Sequence, residues 1–146
     1  MARQLFTIGY EGMSLGSFVA QLKNFSIDCL IDIREIPISR KSGFSKSELT
    51  ETLSRENIRY LHLQELGSPI PIRERLKRDY DYRLFFKNIE NHLAKQKDAI
   101  EIAYRHIAHN TCCLMCFEHL AEMCHRKLVA RKIQERDGNG LQIINL

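Results

Sequence analysis

Five short apolar runs, separated by helical or turn-rich stretches, constrain the fold of this chain more than any other feature. Residues 27 to 33, IDCLIDI, read as a buried strand, and the other runs are rich in β-branched or aromatic residues. Between the second and third runs, Ser45 and Glu48 have the form of a capping box, which predicts a helix to about Arg55. The five runs are LFTIGY (5–10), IDCLIDI (27–33), IRYLHL (58–63), TCCLMCF (111–117) and LQIINL (141–146).

Strands that alternate with helices predict an α/β domain with about five mostly parallel strands and helices on both faces, in Rossmann-like layering. The 146 residues are within the usual size of one domain, so we expect a single α/β domain over residues 1–146. The stretch 66–82 contains two prolines and predicts a long irregular connection. Residues 82–109 predict two helices, and MCHRKLVARKIQER (123–136) predicts the last helix.

Composition and the N-terminal segment bear on location and partners. No run approaches the roughly 18 apolar residues of a membrane helix, and MARQLFTIGYEG lacks the apolar core of a signal peptide. Five cysteines without an export signal argue against a disulfide framework. We therefore expect a cytoplasmic protein with no membrane partner. The net charge of +4 agrees with a polyanionic partner and equally with none.

Polar clusters follow three of the predicted strands. They are Gly9-Tyr10-Glu11-Gly12, Asp32-Ile33-Arg34 and Cys116-Phe117-Glu118. In parallel α/β sheets, ligands bind beyond the carboxyl ends of the strands. The three clusters are therefore expected at one sheet edge, where they form a candidate site.

The second cluster and the loop behind it allow two interpretations each. Asp32 and Arg34 lie on one side of a continuing strand, either as a structural ion pair or as an acid/base and an anion-binding guanidinium. The following loop contains Ser39 and Arg40, which suit a phosphate or a carboxylate but equally a solvated surface.

The segment CFEHLAEMCHR (116–126) holds the densest group of reactive side chains. Zinc ligands usually come in closely spaced pairs, and Cys116, Cys124 and His125 lack a second pair of familiar spacing. We therefore expect no metal and no cofactor. Strand alternation points Cys112 and Cys116 to one face and Cys113 to the other.

A thiol and anion site is the alternative for the same segment. Cys124, His125 and Arg126 fall near the start of the last helix, where free N–H groups favour negative charge and a lowered thiol pKa. Glu118, just past a strand end, is a candidate general base. The competing interpretation is packing of Cys116 against Cys124, with Arg126 paired to Glu118.

Four motifs together resemble a known family. They are TIGYEG, IDIREIPISRKSGF, RYLHLQELGS and CLMCFEHLAEMCHRKLVA, and they span nearly the whole chain. They resemble domain-of-unknown-function family 488, whose pattern C-x-E followed by C-H-R is matched by Cys116, Glu118, Cys124, His125 and Arg126. The chain departs from that pattern at Glu11, at Ser68, where a second glycine is frequent, and at its C-terminal INL. The resemblance implies an α/β domain and no particular activity.

These observations give one leading hypothesis and two alternatives. The leading hypothesis is an enzyme acting on a phosphate-bearing small molecule or a nucleic-acid-related substrate. Its anion would be held by Arg34, Arg40, Ser39 and Arg126, with Tyr10 stacking on or bonding to a base or sugar. Glu118 or Asp32 would be the acid/base, and Cys116 or Cys124, with His125, the nucleophile or redox pair. The alternatives are a non-catalytic nucleic-acid or nucleotide-binding module and a thiol redox switch.

Overall fold

Strands and helices alternate along the computed structural model, which describes residues 3–138 and 140–146. The strands are β1 (Gln4–Gly9), β2 (Cys29–Asp32), β3 (Arg59–His62), β4 (Cys112–Cys116) and β5 (Gln142–Asn145). The helices are α1 (Leu15–Asn24), α2 (Lys46–Arg55), α3 (Ile70–Asp79), α4 (Tyr82–Leu93), α5 (Lys97–His109) and α6 (Arg126–Arg136). Single 3-10 turns lie at Gln64–Leu66 and Ala121–Met123. No helix within the described ranges is long and apolar enough to cross a membrane.

The strands form one sheet in the order β3-β2-β4-β1-β5, with every neighbouring pair parallel. In the register of the central strands, Gly9 lies opposite Cys116 and Asp32 opposite Met115. The α/β fold class predicted from the alternating runs is confirmed.

Helices cover both faces of the sheet. The residues that α1 and α2 bury join Cys113 and Met115 in one core, whereas the residues that α4, α5 and α6 bury join Cys112, Leu114 and Cys116 in the other. The alternation predicted for β4 is therefore confirmed. The capping box predicted at the start of α2 is also present, between Ser45 and Glu48.

The strand order reverses at β4. From β1 the chain moves outward to β2 and β3, then returns to place β4 between β2 and β1. Because crossover connections are right-handed, outward and returning connections lie on opposite faces of the sheet. The connections that follow β1 and β4 therefore diverge and leave a crevice at the carboxyl ends of these strands, which is where such folds bind ligands.

The structure corrects two boundaries. Residues 66–82 are not an irregular connection, because they contain α3. Pro71 occupies the first turn, where a helix needs no N–H donor, and Ile72 and Leu76 lie one turn apart against the α4–α6 core. The last helix begins at Arg126 rather than Met123, because the 3-10 turn Ala121–Met123 and an extended Cys124 precede it.

Candidate active site

A cavity of about 670 Å³ opens at the carboxyl ends of β1, β2 and β4. Eight of the side chains predicted for the site line it: Tyr10, Arg34, Ser39, Arg40, Cys116, Glu118, Cys124 and His125. The other two, Asp32 and Arg126, are fully buried behind its wall. The wall also includes Glu35, Ser68, Arg73 and Lys77, which the sequence interpretation did not include.

Asp32 and Arg34 form a buried ion pair beneath the cavity. The guanidinium Nε donates to Asp32 Oδ1 at 2.9 Å and Nη2 donates to Oδ2 at 2.7 Å. Nη1 donates to the Tyr10 hydroxyl at 3.2 Å, and the Tyr60 hydroxyl donates to Asp32 Oδ2 at 2.5 Å. Burial, and then the charge of Asp32, raises the pKa of Tyr60, so this hydroxyl keeps its proton. The Asp32 carboxylate is thus occupied by two partners and is placed to orient Arg34.

The Tyr10 ring is part of an aromatic stack rather than a free face. It lies parallel to the Phe44 ring with the centroids 4.6 Å apart, and the Phe117 ring meets it edge-on at 5.4 Å. Its side chain is 3% exposed. The contribution of Tyr10 to the cavity is therefore a packed wall and a hydroxyl bonded to Arg34.

Cys116, Cys124 and His125 form a compact cluster in the cavity. His125 Nε2 lies 3.1 Å from the Ile33 carbonyl, and Nδ1 lies 3.7 Å from Cys124 Sγ. A carbonyl only accepts, so Nε2 carries a proton and Nδ1 is the atom that faces the thiol. The Arg126 main-chain N–H, in the first turn of α6, donates to Cys124 Sγ at 3.4 Å.

These contacts shift the pKa values of the two thiols in opposite directions. Burial opposes ionisation of Cys124, but its hydrogen bond with Cys116 and the charge of His125 outweigh burial and hold its pKa well below the ordinary value. Burial and the same hydrogen bond raise the pKa of Cys116. Burial lowers the pKa of His125, but the charge of Cys124 outweighs it, so the net shift is upward. The directions of these shifts make Cys124 the thiol that ionises more readily.

Arg126 holds the loop that follows β4. Its side chain donates to the main-chain carbonyls of Glu118 and His119, to the Thr7 hydroxyl at 3.2 Å and to Cys116 Sγ at 3.5 Å. The pairing of Arg126 with Glu118 proposed from the sequence thus exists, but through the main chain of Glu118. With every nitrogen of its guanidinium bonded within the protein, Arg126 fixes the position of Glu118.

Glu118 projects from this loop into the cavity. Its carboxylate accepts the Leu120 N–H at 3.4 Å, and the neighbouring Glu11 accepts the His119 N–H at 3.1 Å. Burial raises the pKa of Glu118, the Leu120 N–H opposes the shift, and the charge of Glu11 adds to it. The residue keeps partial access to solvent, as an acid/base group requires.

Two polar atoms of the cavity wall, Ser68 Oγ and Arg73 Nε, lack hydrogen-bond partners in the described part of the chain, although Nη2 of the same arginine lies 3.8 Å from Glu35 Oε1. Ser68 is 4% exposed, and neither its Oγ nor Arg73 Nε has a hydrogen-bond partner within residues 3–138 and 140–146. Buried polar groups are almost always hydrogen-bonded, so these two donors are available to acceptor atoms of water or of a ligand. Lys77 lies one turn beyond Arg73 on α3, and both line the cavity.

The sequence offered signals for these residues. Arg73 and Lys77 have the i, i+4 spacing of one helix face. The two prolines nearby predict a loop, so this helical spacing is easily overlooked. For Ser68 the signal is its departure from the pattern that the chain resembles, in which a second glycine is frequent at this position.

The loop after β2 closes the far side of the cavity. Ser39 is tied to the start of α2, since its N–H donates to Ser45 Oγ at 3.0 Å and its own Oγ accepts the Lys41 N–H at 3.1 Å. Arg40 is exposed at the rim. The loop thus presents Arg40 to the cavity on an anchored backbone.

A second, shallower depression of about 810 Å³ runs along α2 and is lined mainly by hydroxyl and charged side chains of that helix. Its described lining includes neither a cysteine nor a histidine. The cavity at the strand ends therefore remains the candidate active site.

Comparison with known proteins gives one match. Residues 14–133 match the model of a family described as "Domain of unknown function DUF488". The matched span includes every predicted site residue except Tyr10. No curated protein and no solved structure matches the chain significantly.

Proposed function

Because the chain belongs to the DUF488 family, whose description names no activity, we propose from the cavity itself that this protein is an enzyme for a phosphate-bearing substrate of the nucleotide or nucleic-acid class. The observation that carries the proposal is the pair of unpartnered donors, Ser68 Oγ and Arg73 Nε, in the same cavity as Cys124 and Glu118.

The anion subsite lies on the α3 side of the cavity. Ser68 Oγ and Arg73 Nε offer hydrogen-bond donors that nothing in the described part of the protein uses, and Lys77 and Arg40 add positive charge at the rim. A phosphate accepts several hydrogen bonds at once and carries the charge that these cations favour. Arg34 lines the cavity and Arg126 positions the loop after β4. Neither is assigned to the anion, because both guanidinium groups already bond to protein groups.

The reacting group is the Cys124 sulfur at the start of α6. Its position beside the Arg126 N–H and the His125 imidazole stabilises a thiolate, which is the nucleophilic form. The thiolate attacks the electrophilic atom of the substrate, and Glu118 gives its proton to the leaving group. Glu118, now a carboxylate, takes a proton from the water that hydrolyses the covalent intermediate and regenerates the thiol centre.

Substitution of Glu118 tests this role. The Glu118→Gln variant is expected to lose turnover of phosphate-bearing substrates by about 10²- to 10⁴-fold, because it removes the proton donor and acceptor. Turnover would be followed over a panel of nucleoside phosphates and oligonucleotides, together with thermal unfolding. Exposed Glu122, in the neighbouring 3-10 turn and outside the cavity lining, supplies the control Glu122→Gln, which should behave as wild type. Unfolding of Glu118→Gln, or equal turnover in both variants, contradicts the assignment.

A non-catalytic nucleic-acid-binding module is the second candidate. The basic residues of α3, among them Arg73, Arg75, Lys77 and Arg78, favour it. Binding through several phosphates weakens steeply with salt because counterions are released. Oligonucleotide binding with a steep salt slope and no turnover would favour the module over the enzyme.

The proposal also places the protein in a reducing compartment. Cys116 and Cys124 must stay reduced for the thiol chemistry, and every cysteine is free in the structure. We therefore place the protein in the cytoplasm, where thiols are kept reduced.

A further inference from the structure

We propose that Cys116, Cys124 and His125 form a zinc-binding site with three protein ligands and a fourth position open to the cavity. The inference goes beyond the proposed function, since metal affinity does not depend on turnover of a substrate. The three ligand atoms, two Sγ and His125 Nδ1, lie within 4.8 Å of one another.

The spacing of these atoms approaches that of a tetrahedral metal site. Bond lengths of ~2.3 Å to sulfur and ~2.0 Å to nitrogen give tetrahedral edges of roughly 3.8 Å between two sulfurs and 3.6 Å between sulfur and nitrogen. Cys124 Sγ and His125 Nδ1 are 3.7 Å apart. This edge already has the length that zinc requires.

The imidazole is held in the orientation that a metal ligand needs. Nε2 donates to the Ile33 carbonyl at 3.1 Å, which leaves the Nδ1 lone pair directed at the thiols. Metal-bound histidines almost always donate their second N–H to a carbonyl or carboxylate in this way. The main chain of Ile33 thus supplies the outer hydrogen bond.

The surroundings also suit two thiolates. Arg126 donates to both sulfurs: its main-chain N–H donates to Cys124 Sγ at 3.4 Å, and its side-chain Nη1 donates to Cys116 Sγ at 3.5 Å. Zinc displaces the thiol protons, and its two positive charges balance the two thiolates. The buried centre therefore carries no uncompensated negative charge when it is loaded.

The site has an access route and a vacant coordination position. All three ligand residues line the cavity, which they share with Glu118. Three protein ligands and one exchangeable position are the pattern of catalytic rather than structural zinc, and such a site needs no second ligand pair. The lack of a second closely spaced ligand pair in the sequence therefore speaks only against a four-ligand site. Zinc binding and nucleophilic attack both use the Cys124 sulfur, so the two exclude each other.

Cobalt(II) provides a spectroscopic test on the reduced, full-length protein. We expect one equivalent to bind, with sulfur-to-cobalt charge-transfer absorption, the visible bands of a tetrahedral ion, and loss of both when Zn²⁺ is added. Cys124→Ser and His125→Gln should abolish this binding. Cys113→Ala, in the same strand but on the opposite face of the sheet, is the matched control and should retain it.

Alkylation gives a second measurement that needs no variant. At a free Zn²⁺ concentration of about 100 times Kd, modification of Cys124 by iodoacetamide should slow about 100-fold, since only the unoccupied fraction reacts. Absence of stoichiometric binding to the reduced wild type, octahedral cobalt bands, or an unchanged alkylation rate would overturn the metal site. None of these results depends on turnover, so the metal site and the proposed function can fail separately.

Discussion

Gly9 lies where the loop after β4 crosses the end of β1. A Cβ at this position would come within 1.7 Å of the Glu118 carbonyl oxygen and 2.7 Å of Arg126 Nη1. Gly9 therefore allows the Glu118 carbonyl and the Arg126 guanidinium that binds it to approach β1. This close approach places Glu118 over the cavity.

Gly9→Ala is expected to destabilise the protein by about 1–3 kcal/mol or more, because the rigid main chain of the loop must move. Urea unfolding measures the change. Gly16→Ala is the control, since a Cβ there meets nothing within 4 Å, and it should be neutral or stabilising by up to ~1 kcal/mol. Equal stability of the two variants would show that the close approach at Gly9 is absent.

The buried Asp32–Arg34 ion pair is expected to contribute strongly to the stability of the protein. Asp32→Asn leaves the buried guanidinium without its counter-charge and is expected to cost about 3–5 kcal/mol in the free energy of unfolding. The exposed Arg55–Glu51 pair supplies the comparison: Glu51→Gln should change stability by no more than ~0.5 kcal/mol. If Asp32→Asn is as mild as Glu51→Gln, Asp32 does not hold Arg34 in place.

Helix α3 is weakly buried and carries two of the cations that line the cavity, Arg73 and Lys77. It has no fully buried residue, whereas five residues of α6 are buried, among them Arg126 and Ile133. Helices with few buried contacts open locally at lower free energy than helices of the core.

Hydrogen exchange should therefore be faster in α3 than in α6. Inorganic phosphate is expected to slow exchange in α3, because it bridges Arg73 and Ser68, and to leave α5 unchanged. Mass spectrometry of peptides from the three helices makes the comparison. Equal protection of α3 and α6, or a phosphate effect spread over all three helices, would contradict this view of α3.

The elements also show how far the sequence could predict the fold. Apolar runs and the capping box at Ser45 are local signals, so the strands and α2 could be predicted from them. The helix α3 could not, because Pro69 and Pro71 predict a loop, although a proline in a first turn is compatible with a helix.

At the scale of the whole molecule, the sheet order brings distant residues to one edge. The sequence predicted that the ends of β1, β2 and β4 meet, because parallel strands share that edge. It could not show that the Asp32 carboxylate also accepts the Tyr60 hydroxyl or that the Arg126 guanidinium also donates to Thr7, since those bonds join residues far apart in the chain. Nor could it show that Ser68 Oγ and Arg73 Nε remain without a hydrogen-bond partner in the described part of the chain, because that depends on the complete packing of the wall.

The proposed enzyme for a phosphate-bearing substrate depends above all on the anion subsite formed by Ser68 and Arg73. Calorimetric titration with inorganic phosphate should give saturable binding at one site in the wild type. Ser68→Ala and Arg73→Gln should each weaken it, the latter by roughly 10-fold or more, because a charge-assisted hydrogen bond is lost. Arg78→Gln removes the same charge from an exposed position of α3 outside the cavity lining and should bind as wild type. Absence of saturable binding in the wild type, or an equal loss in Arg78→Gln, would contradict the account.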